Sequence, residues 1–275
     1  PLVLEPQDSG TEQAPIIYQG VPYRSIFPGG RKITGFKPGP GGVWQATVPQ
    51  VAAGDYYFEQ LWINGRRMIR ARTPNAENPD ETPQPRYLYV WKKMPFGVDP
   101  ATGQPVDMSR RAFYARPEDV ACLAEVPRHA LGDVTLVSYH AWETARHRLQ
   151  SVDLQTGAVI TTGNAPWAFQ WLGVNHRYHL ENFRAALDAP GEWYLDRDGT
   201  LSVMPLPGTD MTTATVVAPV IPEFIRVQGD PEAGLYVEHV TLRGLDFFYT
   251  AHTLEPQGHG DGQAAVSVPA AIMVD

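Results

Sequence analysis

The sequence has a single cysteine among 275 residues, Cys122, so no disulfide within the chain is possible and burial and hydrogen bonding must hold the fold. Its setting, Asp119-Val120-Ala121-Cys122-Leu123, carries no activating motif and reads as a small buried hydrophobe. No run approaches the roughly 18 apolar residues of a membrane-spanning helix. Positive charge is scarce: 22 Lys and Arg stand against 30 Asp and Glu, for a net charge of −8. That balance would repel a phosphate backbone, so no nucleic-acid partner is expected and a neutral or weakly charged ligand is favoured. The glycines at 39–42 lack the Lys-Ser/Thr ending of a phosphate loop, and there is no Gly-x-Ser-x-Gly nucleophile elbow. Helical periodicity is also rare, with residues 116–126 and 181–187 as short exceptions.

What is present points to β-structure. The 25 Gly and 26 Pro disfavour long helices, in which Gly costs about 1 and Pro about 3 kcal/mol, and they punctuate short alternating segments instead. Residues 56–68 predict two strands around the Asn64-Gly65 turn, since both turn positions accept positive φ. Further strands are expected at 86–92, 135–140, 159–162, 193–195 and 201–204, the last two joined through Asp198-Gly199. The proline- and carboxylate-rich segments 74–85 and 95–111 predict exposed loops.

The two ends have a different texture. Strand segments at 216–217, 225–227, 236–237, 240–247 and 272–274 recur every 20 to 25 residues or so, an interval that suits the coils of a parallel β-helix. Gly244 permits a bend that lets Val240, Leu242, Leu245 and Phe247 all face inward. Residues 16–18 and 31–36 read as early-coil strands. The expected fold is therefore all-β: a right-handed parallel β-helix with coils at 1–42 and 208–275, and an inserted antiparallel β-sandwich-like domain at 43–207. A lone coil is unstable, so further coils are expected to follow Asp275 or precede Pro1.

Six phrases in order, at residues 9–18 (SGTEQAPIIY), 29–36 (GGRKITGF), 58–75 (FEQLWINGRRMIRARTPN), 139–142 (YHAW), 181–196 (ENFRAALDAPGEWYLD) and 240–247 (VTLRGLDF), carry a resemblance. Together they resemble the N-terminal half of β-helical glycoside hydrolases, a pectin lyase-like fold, especially family one hundred and forty-one of fucosidase and xylanase type. A β-helical xylosidase family with the same insertion is similar. The resemblance implies a secreted, extracellular or periplasmic protein that degrades plant or bacterial polysaccharide without a cofactor. It also implies that the catalytic carboxylates lie beyond Asp275, leaving this chain inactive by itself. A non-catalytic carbohydrate-binding β-solenoid is the alternative, and a polysaccharide lyase ranks third because no Lys/Arg cluster stands out.

Glycosidic hydrolysis needs two carboxyl groups flanking the bond. Asp246 and Asp275, in the solenoid segments, are the catalytic candidates. His140, Trp142, Arg146 and His259 are the substrate-binding candidates, because imidazole and guanidinium donate to hydroxyls and an indole covers the apolar face of a pyranose. The loop at 249–262, with His252 and His259, is placed to border a glycan groove. Glu192 reads as a turn residue feeding a strand. Glu181 with Asn182 suits either a backbone tie or a ligand contact. His176 and His179 suit one side of a helical turn, but without a third ligand at a recognised spacing no metal site is expected.

Overall fold

The computed structural model describes residues 1–75, 87–99, 101–171 and 173–275. Among them the chain is almost entirely β, with only short helical turns, and most of its sheets are antiparallel. Parallel pairing occurs mainly between the two ends of the chain. Leu2–Leu4 pairs with Ile225–Val227, which pairs in turn with Ile272–Val274. Ile16–Gln19 runs parallel to Val240–Arg243, and Ile26–Pro28 to Asp246–Phe248. The three ladders share one small core, in which Leu4, Phe224 and Ile225 are buried and Tyr18, Val240, Leu242 and Phe247 pack against them.

The bend expected at Gly244 is present. Gly244 has φ of 66°, and a Cβ there would lie 2.6 Å from the carbonyl oxygen of Gly20, where two turns of chain stack. Only glycine fits such an approach at positive φ. Gly244→Ala is expected to lower stability by about 1–3 kcal/mol, measured by urea unfolding; an unchanged midpoint would show that the stacked corners yield freely.

Antiparallel pairing begins earlier and ends later than residues 43 and 207. Gly30–Ile33, expected as part of an early coil, pairs antiparallel with Val216–Pro219, which also pairs with Trp62–Ile63. The Asn64-Gly65 turn forms as expected, with φ of 50° and 80°, and closes the hairpin Trp62–Ile63 and Arg66–Arg67. This sheet and a second one built on Trp44–Thr47, Thr200–Val203 and Glu192–Leu195 bury a common core around Phe58, Leu61, Trp193 and Leu201. The Trp193 ring stacks on Phe58 at 5.5 Å, and burial of each large side chain of this kind contributes about 1.5–3 kcal/mol.

A third, larger sheet runs through Arg177–Glu181, Thr135–Tyr139, Thr144–Asp153, Ala158–Thr161 and Ala112–Tyr114. Its inner face supplies Phe113, Leu136, Leu149, Val159, Tyr178 and Leu180 to another core. Cys122 is half-buried against that core, as a small hydrophobe would be. Two expectations change here. Residues 95–111 are no plain loop: Phe96–Val98 and Pro105–Asp107 form an antiparallel hairpin, because Gly103 and the carboxylate of Asp99 shape a tight turn. Residues 181–187 yield only a single 3-10 turn, Arg184–Ala186, since Glu181 is claimed by the sheet. Most of the proline-rich segment 74–85 lies outside the described residues.

Candidate functional site

Strand alternation decides what the larger sheet shows on its other face. Tyr178 and Leu180 point into the apolar core, so His179 and Glu181 point away from it. By the same rule Leu136 and Leu149 point inward while Thr135, Arg146 and Arg148 emerge opposite. These polar residues meet the segment around Glu59 to Arg70 and the loop after Tyr249, and the three enclose a cavity of about 440 Å³. Glu59, Arg70, Arg146, Glu181, His252 and His259 all line it.

The walls are tied by backbone and side chain together. Arg146 and His259 exchange two main-chain hydrogen bonds of 2.7 Å, an isolated antiparallel bridge that fixes the loop on the sheet. Gln60 holds the same loop from the other side: its amide nitrogen donates to the carbonyl of His252 at 2.7 Å, and its amide oxygen accepts the His252 N–H at 3.2 Å. The His252 and His259 rings approach edge to face at 6.4 Å, and burial lowers the pKa of His252.

Two carboxylates sit among four arginines. Glu59 accepts from Arg148 at 2.9 Å and from the Leu254 N–H at 2.8 Å. Glu181 accepts from Arg146 at 3.1 Å and lies 3.3 Å from His179 Nε2. Burial opposes ionisation of Glu181, but the His179 hydrogen bond and the charges of Arg146 and Arg70 outweigh it and bring the pKa down to about 2. Arg70, whose side chain is 7% exposed, lies between the two carboxylates at 3.7 and 3.9 Å. Glu181 is therefore held ionised at neutral pH and is an unsuitable general acid.

Beside the cavity stands an aromatic cluster. Trp167 and Trp171 stack at 4.7 Å, and Trp142, 56% exposed, meets both edge to face at 5.5 and 5.6 Å. Trp167 Nε1 donates to the carbonyl of Gly262 at 3.1 Å, which joins the cluster to the loop that carries His259.

A solved structure titled "Glycoside hydrolase" is similar over 96% of this chain, at 25% identity and a TM-score of 0.73. The fold is glycoside hydrolase-like. The match covers 43% of that chain, so the present sequence spans less than half the length of the protein it resembles. No protein-family model matches the sequence, and no curated protein matches it.

Within this glycoside hydrolase-like frame the sequence candidates separate. Arg146 and His259 come together in the cavity wall, and the loop expected to border a groove does line it. Trp142 lies on the neighbouring aromatic surface. His140 is buried instead: its Nδ1 is 2.7 Å from His176 Nδ1, and its Nε2 is 3.1 Å from Ser138 Oγ. His176 and His179 occupy an extended segment rather than a helical turn, so they face different partners, and His179 pairs with Tyr139 and Glu181. Among the described residues no group of three His, Cys, Asp or Glu is arranged to hold a metal ion.

Asp246 and Asp275 do not line the cavity. Asp246 accepts the Tyr23 N–H at 2.7 Å, and Asp275, exposed, donates its own N–H to Val227 at 2.9 Å. Glu192 is buried, and its carboxylate accepts from the backbone of Asp188, Ala189 and Arg72 at 3.2–3.3 Å. Burial raises its pKa to about 7 against those bonds. Glu59, Gln60, Arg67, Arg70, Trp167 and Trp171 were not singled out from the sequence. For Glu59 and Arg70 a signal existed: charged residues embedded in the apolar alternation around the Asn64-Gly65 turn.

Proposed function

We propose that this chain is the N-terminal part of an extracytoplasmic β-helical glycoside hydrolase whose glycan substrate enters the cavity between the antiparallel sheets and the parallel ladders. The observation that carries the reading is the glycoside hydrolase-like fold across nearly the whole chain. The three parallel ladders around one core support early coils of a right-handed parallel β-helix. In that reading the antiparallel block between about residues 30 and 219 is an inserted sandwich-like domain, its boundaries moved outward from 43 and 207 by the pairing of Gly30–Ile33 with Val216–Pro219.

The chemistry of the cavity supports substrate binding more than bond cleavage by this segment. A hydrolase needs one carboxyl protonated near neutral pH and one ionised. Glu181 is held ionised and Glu59 is engaged by Arg148, Arg70 and a backbone N–H. Glu181 therefore does not supply the acid, which accords with a catalytic pair on coils beyond Asp275. The exposed Trp142 surface favours one second reading, a non-catalytic glycan-binding solenoid.

Release of reducing sugar from a panel of plant and bacterial glycans, run on this chain and on the full-length gene product, separates the two. Hydrolysis by the full-length product is the expected result. Binding without hydrolysis by either form moves the assignment to the binding solenoid, and a failure to bind any glycan overturns both.

A further inference from the structure

We propose that the cavity selects a glycan bearing an anionic substituent, a uronic acid carboxylate or a sulfate ester, through the guanidinium groups of Arg67, Arg70 and Arg146. The proposal rests on the glycan reading above and narrows it to a substrate class.

The cavity wall carries three arginines against two carboxylates, and the carboxylates are already spent. Glu59 uses one oxygen on Arg148 and the other on the Leu254 N–H, while Glu181 uses one on Arg146 and the other on His179. Arg70 is left as a surplus donor. Its side chain is 7% exposed, its contacts with Glu59 and Glu181 at 3.7 and 3.9 Å are too long for hydrogen bonds, and its Nε and Nη2 are buried without an acceptor. A buried cation without a hydrogen-bonded counter-ion is costly, so its place in a cavity wall points to an anion in the cavity that would offset its charge.

Arg67 makes the same point from the rim. It forms no ion pair among the described residues, and its guanidinium lies 5.8 Å from the centre of the Trp62 ring. Trp62 also lines the cavity, braced edge to face by Tyr249 at 5.3 Å. An indole for the apolar face of a sugar ring beside guanidinium forks for a planar carboxylate is the pairing an acidic sugar needs. Neutral hydroxyls satisfy donors but leave the excess charge unmatched. The net charge of −8 is a property of the whole surface and conceals this local excess.

The test is calorimetric titration of this chain with uronic acid oligosaccharides, their carboxyl-reduced counterparts and sulfated oligosaccharides, repeated on Arg67→Ala and Arg67→Lys. The expected result is preference for an anionic ligand over its neutral counterpart, weakened by salt and reduced roughly ten- to a hundredfold in Arg67→Ala, with partial recovery in Arg67→Lys. Whether the uronate or the sulfated series binds identifies the source of the anion, and either supports the proposal. Equal affinity for charged and neutral forms, or an equal loss of both in Arg67→Ala, overturns it while leaving the glycan reading intact. Absence of binding across the whole panel overturns the two together. Arg67 is an exposed side chain, so these variants are expected to fold.

Discussion

Glu181→Gln is expected to destabilise the protein by roughly 3–5 kcal/mol, measured by urea unfolding at neutral pH. The substitution keeps the shape and a hydrogen-bonding oxygen but removes the charge that Arg70 and Arg146 face. Arg70 is nearly inaccessible to water, so it would be left with Glu59 at 3.7 Å as its only ion-pair partner among the described residues. Breaking one side of a buried ion pair costs far more than the pair itself contributes, because the remaining charge stays desolvated. The pH dependence gives a second check. The pKa of Glu181 is depressed, from 4.5 to about 2, so the stability it contributes is present above about 4.5 and is lost as pH falls through about 2. The difference between wild type and variant should therefore shrink toward strong acid. A loss below about 1 kcal/mol at neutral pH would mean that the arginines find other partners at no cost.

Glu143→Gln is expected to act in the opposite direction, stabilising the protein at mildly alkaline pH by up to about 3 kcal/mol relative to its effect in acid. The Glu143 side chain is fully buried beside His140, whose Nε2 is 3.7 Å away, and both of its oxygens lack hydrogen-bond partners. Burial first, and the charge of Asp261 second, raise its pKa from 4.5 to about 7. With a raised folded-state pKa, its contribution is full below about 4.5, declines as pH rises because the unfolded chain ionises freely, and is gone above about 7. His140 and His147, lowered by burial to about 3 and about 4, impose the opposite slope: as pH falls below 6.5 the unfolded chain takes up protons that the folded chain refuses. Comparing wild type with Glu143→Gln at about pH 4 and about pH 8 isolates the carboxyl, since both proteins keep the histidines. Parallel stability curves would refute a buried, protonated Glu143.

These two carboxylates show how the sequence and the tertiary structure divide the information. Glu143 follows the exposed Trp142 in the tight connection between Tyr139 and Thr144, and nothing local marks it as buried. Its environment is made by the buried His140, three residues before it, and by Asp261, which arrives on the loop that bridges Arg146 and His259. Glu181 likewise looks like an ordinary acidic residue before an Asn until the arginines from residues 67–70 and 146–148 arrive around it. Residues 66–72 already carry four arginines along the chain, but only the fold sets Arg67 and Arg70 beside Arg146 in one cavity wall.

By itself the sequence determined the β-class, the Asn64-Gly65 hairpin, the bend at Gly244 and most of the strands at both ends, though residues 236–237, also expected as a strand, do not form one. Those features rest on φ preferences and on alternation over a few residues, which act locally and can be read one segment at a time. The pairing partners were another matter. Gly30–Ile33 looked like a coil strand because an isolated strand carries no sign of whether its partner will run parallel or antiparallel. The cavity was decided only by tertiary structure, for the same reason: charge balance and burial are sums over neighbours from distant segments, and no single segment contains them.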